Sequence, residues 1–236
     1  MRRFLLIVTL VVAVTTPVSA QYGNRIARTI SEDFEASGYE AILLRIDVGE
    51  VEITGVDGDT IRARIDIRCA RERNRKRCED RAEDIELDTY DRRGRLVLDI
   101  DGTGLWRSRD VHVVVALAVP RALATEIELG TGELTVKGIA GTVTVDMSLG
   151  EVTLTNVSGD VFVDLGIGDV TVTMSQDVVG EVTLDNGIGE TELRHRDGRN
   201  AIEGILGGID IHWDNGPGPH TVKIDLNIGE IFVRLQ

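Results

Sequence analysis

Apolar and polar residues alternate along most of this chain, and a glycine, usually followed by an acid, resets the alternation every nine residues. The beat starts at Gly49-Glu50-Val51-Glu52-Ile53 and returns at Gly58-Asp59. Its strongest run carries Gly132, Gly141, Gly150, Gly159 and Gly168, followed by a three-residue slip at Met174-Ser175-Gln176. It resumes at Gly180 and Gly189, loosens near Gly207-Gly208, and ends with Gly229-Glu230-Ile231-Phe232-Val233. A period of two marks strands with one face inward. Repetition at fixed spacing marks a repeat architecture. Together they predict an all-β, single-domain β-solenoid of nine-residue units, with two short strands per coil.

Within each unit, the residues two and four after the glycine share a side. Leu134 and Val136, Val152 and Leu154, and Val170 and Val172 are therefore core positions. The residues between them, Thr135, Thr144, Thr153, Phe162, Thr171 and Thr183, face outward. If two units make a coil, residues eighteen apart stack at ~4.8 Å. Thr135, Thr153 and Thr171 then form one ladder, and Glu133, Glu151 and Asp169 another.

The repeat does not begin at residue 1. Arg2 and Arg3, the apolar stretch Phe4 to Val14 and the small-residue site Val18-Ser19-Ala20 predict a signal peptide over 1–20. A polar lead-in over 21–40, with a strand near Ser31 to Phe34, precedes a solenoid domain over 41–236. Leu44 to Ile53, Ile61 to Ile67, Ile85 to Leu87 and Leu96 to Ile100 read as strands. Val111 to Val119 is the longest apolar stretch after the signal, and Pro120, which has no N–H to donate, marks its end.

Charge narrows the partners. The formal net charge is -14, and about -16 once Arg2 and Arg3 leave with the signal, so binding to a phosphate backbone is disfavoured and no nucleic acid is expected. No second apolar run reaches membrane-spanning length. The expected location is outside the cytoplasm, periplasmic or at the cell surface. There the two cysteines, Cys69 and Cys78, are expected to pair across a short basic loop or hairpin. That loop carries Arg71, Arg73, Arg75, Lys76 and Arg77, the chain's contrasting basic patch.

The succession Val48-Gly49-Glu50-Val51-Glu52-Ile53-Thr54-Gly55, then Val119-Pro120, then Leu129-Gly130-Thr131-Gly132-Glu133-Leu134-Thr135-Val136 resembles the bacterial putative adhesin family. That family is a domain of unknown function with a toast-rack β-solenoid form in exported or envelope proteins. The resemblance covers roughly Ala41 to Gln236 and implies no catalytic residues. The cysteines and their basic loop are not part of the resembling pattern.

Other chemistries fit less well. Calcium-binding β-rolls use Gly-Gly-x-Gly-x-Asp-x-apolar-x, whereas in Gly166-Ile167-Gly168-Asp169-Val170 the acid follows the glycine directly. His212 and His220 flank a turn-rich loop with Asp214 and read as solvated loop histidines, so no metal or other cofactor is expected. Trp106 and Trp213, each read as lying in a loop, are candidate contact residues for an envelope protein or a glycan, with partial burial over a coil end as an alternative of at least equal weight. Evenly spread carboxylates favour architecture over catalysis. The expected function is an exported non-enzymatic scaffold or adhesin-like interaction module of the cell envelope. The alternatives are an envelope-stress or signalling accessory and, less favoured, a polysaccharide-acting β-helix enzyme.

Overall fold

The computed structural model describes residues 25–69, 75–104, 111–204 and 208–236. In chain order the elements are β1 (Ile26–Glu35), β2 (Ala41–Val56), β3 (Thr60–Cys69), α1 (Arg75–Glu83), β4 (Glu86–Asp91), β5 (Arg95–Asp101) and β6 (Val111–Pro120). There follow β7 (Ala124–Lys137), β8 (Val143–Val157), β9 (Val161–Met174), β10 (Val179–His195), β11 (Gly198–Gly204), β12 (Ile209–Trp213) and β13 (His220–Leu235). All the strands belong to one sheet, whose main path runs β1-β3-β6-β2-β7-β8-β9-β13-β10-β11.

The centre of this path, β2-β7-β8-β9-β13-β10, is parallel and in register. Gly132 pairs with Gly150 and Gly150 with Gly168, so adjacent strands in this run are eighteen residues apart in sequence. Here the structure corrects the expectation of two short strands per coil. The ladder does not stop at the corner, and two nine-residue units run on as one strand, such as the 15-residue β8. The corner glycines Gly132, Gly150, Gly168, Gly229 and Gly189 adopt φ of 153°, 140°, 142°, 142° and 147°. Residues with a side chain rarely adopt such angles. A β-carbon on any of these glycines would also overlap the backbone oxygen of the corner glycine one strand back, Gly132 upon Gly49 and Gly150 upon Gly132, for example.

The core follows from the register. In the first half of each bent strand, Leu44, Ile127, Val145, Val163, Ile224 and Leu184 lie side by side, all at most 2% exposed. In the second half, Ile53, Val136, Leu154, Val172, Val233 and Leu193 do the same and are fully buried. Thr135, Thr153 and Thr171 stand in one outward row, and Glu133, Glu151 and Asp169 in another. Branched and threonine side chains suit such a pleated surface.

Between β7 and β10, strand order departs from chain order at one place. After the slip, a short 3-10 turn at Gln176–Val178 leads into β10, yet β10 does not stack on β9. β13 lies between them, pairing with both along its length.

At both ends of the stack the two halves of the bent strand take separate partners. Residues 41–46 of β2 pair with β5, while 50–56 pair with β6. Val182–Asn186 of β10 pair with β12, while Gly189–His195 pair with β11, both antiparallel. The antiparallel strands β1 and β4 lie outside β3 and β5. The parallel stack therefore does not present its own strands as free edges. Pro120 ends β6 opposite Val56.

The cysteine-bounded segment is also corrected. Instead of a loop or hairpin throughout, it enters α1, and Cys78 on that helix is bonded to Cys69 at the end of β3, with the Cα atoms 5.7 Å apart. Cys78, Ala82 and Ile85 are buried in the core. The Arg28 guanidinium donates from Nη1 to the carbonyls of Ala82, Glu83 and Ile85 at 3.1, 3.2 and 2.8 Å, satisfying the open carbonyls at the helix end.

Gly150→Ala should cost at least about 3 kcal/mol, because it combines an unfavourable φ with a backbone overlap. Gly38→Ala, where a β-carbon meets nothing within 4 Å, should stay within about 0.5 kcal/mol. Urea titration of the two variants checks this, and equal midpoints would refute it. Reduction of Cys69–Cys78 should destabilise the protein by roughly 2.5 kcal/mol on the chain-entropy account. Thermal melts with and without reductant measure this, and thiol titration of the unreduced protein should find no free thiol.

Candidate functional site

The outer surface of the stack carries charge in rows because the strands are in register. On the first half, Arg45, Glu128, Asp146, Asp164, Asp225 and Asp185 are consecutive neighbours across β2, β7, β8, β9, β13 and β10. The row continues to Asp210 on β12 at one end, and to Asp99 on β5 and Asp88 on β4 at the other. Arg45 is engaged by Glu128 through a fork of 2.8 and 3.2 Å, and Lys223 reaches Asp225 at 3.3 Å. The row remains strongly negative.

Crowding shows in the proton affinities. Burial, then Asp210 and Asp225, hold the Asp185 carboxyl above the usual carboxylate range. Burial and then Asp101 do the same for Asp99. The second half of β10 is balanced differently. Glu192, 6% exposed, accepts from Arg194 and, through both oxygens, from Arg199 at 2.8 and 2.9 Å. These two arginines, Arg194 first, hold it below the ordinary range.

At the corner, the acids that follow the glycines make a second row of Glu50, Glu133, Glu151, Asp169, Glu230 and Glu190. Asp169 accepts from the Glu230 N–H at 3.1 Å. Between the two acidic rows runs a third, made by the residues just before the glycines: Val48, Thr131, Leu149, Ile167, Ile228 and Ile188. Sequence reasoning overlooked this row. The signal is the repeated pair Leu149-Gly150, Ile167-Gly168, Ile188-Gly189 and Ile228-Gly229, which strict alternation hides because the strand bends at the glycine.

The candidate residues read from the sequence scatter over the molecule. Arg71, Arg73 and Trp106 lie outside the described residues. Arg75 opens α1, and Lys76 and Arg77 are exposed on it. For Trp213 the structure corrects the loop placement and agrees with the alternative of burial. Trp213 lies within β12, 6% exposed, with its ring 5.4 Å from that of His195, so it fills the core as that strand's inward residue instead of meeting a partner from a loop. His212 and His220 turn to different acids, Glu181 at 3.8 Å and Asp160 at 3.3 Å. Among the described residues, no group of three or more His, Cys, Asp or Glu is arranged to hold a metal ion. No helix among them is long and apolar enough to cross a membrane.

No protein-family model matches the chain, and no curated protein matches it either. Solved structures do. A putative cell adhesion protein from Clostridium sporogenes superposes with a TM-score of 0.58 at 18% identity, over 89% of this chain and 99% of the other. The two share a fold. Structures named as a putative lipid binding protein and a putative adhesin, both from Parabacteroides distasonis, align at a TM-score of 0.27 each, with 12% and 10% identity. They cover 88% and 86% of this chain, and 96% and 97% of their own. The likeness to putative adhesins read from the glycine and valine motifs is met, at the level of the fold, by the Clostridium sporogenes structure.

Asp185→Asn should stabilise the protein at neutral pH by about 1 kcal/mol or less, the scale of like-charge repulsion at strand spacing in water. The sign follows from the raised proton affinity. Its cost is present in full above the folded-state pKa and fades as pH falls towards the unfolded value. The gain should therefore shrink in acid and in high salt. Melts of wild type and variant across pH measure it, and a variant less stable at neutral pH would contradict it.

Proposed function

We propose that the chain is an exported, non-enzymatic scaffold or adhesin-like interaction module of the cell envelope, a β-solenoid rod that offers its outer sheet surface to partners. The observation that carries this reading is the register. Identical or equivalent side chains recur on neighbouring strands across the stack, so the outer face presents one chemical feature many times on a rigid support. Such a surface favours contact along a length over chemistry at a point. The buried Cys69–Cys78 bond supports a life outside the reducing cytoplasm, as do the secretory features of 1–20 in the sequence. The fold shared with a putative cell adhesion protein is in keeping with this role.

Two measurements test it. Residues 1–20 fused to a reporter active only outside the cytoplasm should give activity, and an inactive fusion would contradict export. Surfaces coated with the mature protein should retain envelope fractions saturably. Retention should fall several-fold when Glu151→Gln, Asp169→Asn and Glu230→Gln are combined. Turnover of polysaccharide by the purified protein, or retention indifferent to those changes, would defeat the reading.

A further inference from the structure

The row before the corner glycines is unusual for a water-facing position. Leu149, Ile167, Ile228 and Ile188 are 45%, 49%, 45% and 42% exposed and are consecutive neighbours on β8, β9, β13 and β10. The remaining exposed large apolar side chains among the described residues, Ile26, Tyr90, Phe162 and Ile202, are not adjacent in any register. The fold does not demand an apolar residue here, because Thr131 fills the same place on β7, paired with Leu149. Contiguous exposed apolar surface of this kind marks contact sites.

Acidic rows flank the ridge on both sides. Glu151, Asp169, Glu230 and Glu190 follow the glycines, and Asp146, Asp164, Asp225 and Asp185 lie three residues before the ridge positions. This pattern selects among occupants. A second copy would bring its own carboxylates against these, and an anionic lipid surface would be repelled by both rows. A cationic, amphipathic α-helix offers the complement, with an apolar stripe down its middle and Lys or Arg along each margin. Its pitch of ~5.4 Å is close to the ~4.8 Å between strands. The ridge from Leu149 to Ile188 crosses three strand spacings, ~14 Å, which about ten residues of helix cover, so a helix of about sixteen residues spans it with a turn to spare. A basic side chain beside Asp185 would also relieve the repulsion from Asp210 and Asp225.

We propose that the ridge of Leu149, Ile167, Ile228 and Ile188, with its two acidic margins, docks a cationic amphipathic helix of a partner protein. The inference rests on the reading of the chain as an interaction module and names the partner's chemistry.

Fluorescence anisotropy of the mature protein with a labelled Leu/Lys helical peptide of about sixteen residues tests it. A scrambled peptide of the same composition is the control. The amphipathic peptide should bind about tenfold more tightly than the scrambled one, and Ile167→Thr with Ile228→Thr should weaken it about tenfold. Glu151→Gln with Asp169→Asn should weaken it too and flatten its salt dependence. Circular dichroism establishes that the variants are folded, Thr being the residue already present at position 131. Equal binding of the scrambled peptide, or indifference to the ridge variants, would overturn the proposal. So would ridge-dependent self-association in sedimentation, or ridge-dependent binding to anionic vesicles in place of the peptide. Failure of the unaltered protein to bind the peptide, with envelope retention intact, would reject this inference alone.

Discussion

The structure turns on one close approach, that of each corner glycine to the backbone oxygen of the corner glycine on the strand behind it. Where a β-carbon would stand, Gly150 has the oxygen of Gly132, and Gly168 has that of Gly150. Removing the side chain lets neighbouring chains turn together at the bend, at the same residue, without losing their pairing. Every row depends on that coincidence, since one residue of slippage would turn the inward valines to water and the outward acids to the core. The glycines therefore act less as loosening elements than as a locking thread through the stack.

Once the corners are fixed, the same register that gathers the buried aliphatics also gathers like charges outside. The first is favourable by the area taken from water. The second is tolerated because the carboxylates face solvent and because cations such as Arg45 and Lys223 are placed among them. Glu192 shows the other solution, a largely buried acid held between Arg194 and Arg199. The tension shows where an acid is partly covered and meets acids on both neighbouring strands, as at Asp185.

Much of this was legible in the sequence because the code is periodic. The inward pairs such as Val152 and Leu154, the threonine and glutamate ladders, and a covalent tie between Cys69 and Cys78 were all read from spacing and compartment. What escaped has physical reasons. Alternation shows that two nine-residue units are strands but not that they join, because joining depends on a backbone angle only glycine tolerates. The units at Gly189 and Gly229 look alike in sequence, so nothing local says which should lie against β9. Trp213, beside Asp214-Asn215-Gly216-Pro217, looked like loop when it was the last residue of a short antiparallel strand. The helix α1 has no apolar face to announce it, being anchored mainly by Cys78 and Ala82. The ridge before the glycines was hidden by the very bend that exposes it.

The placing of β13 between β9 and β10 has a bearing on how the molecule comes into being. Both flanking strands are synthesised before it, so a chain growing from its N-terminal side holds a slot that nothing already made fills. Assembly cannot proceed as a simple vectorial zipper along the polypeptide. The slot must stay open, or reopen, until β13 arrives, and so the core is completed only after β10 has been made. A truncated product that stops before residue 220 would leave two aliphatic rows without the strand that joins them, a form readily distinguished from the native state by proteases.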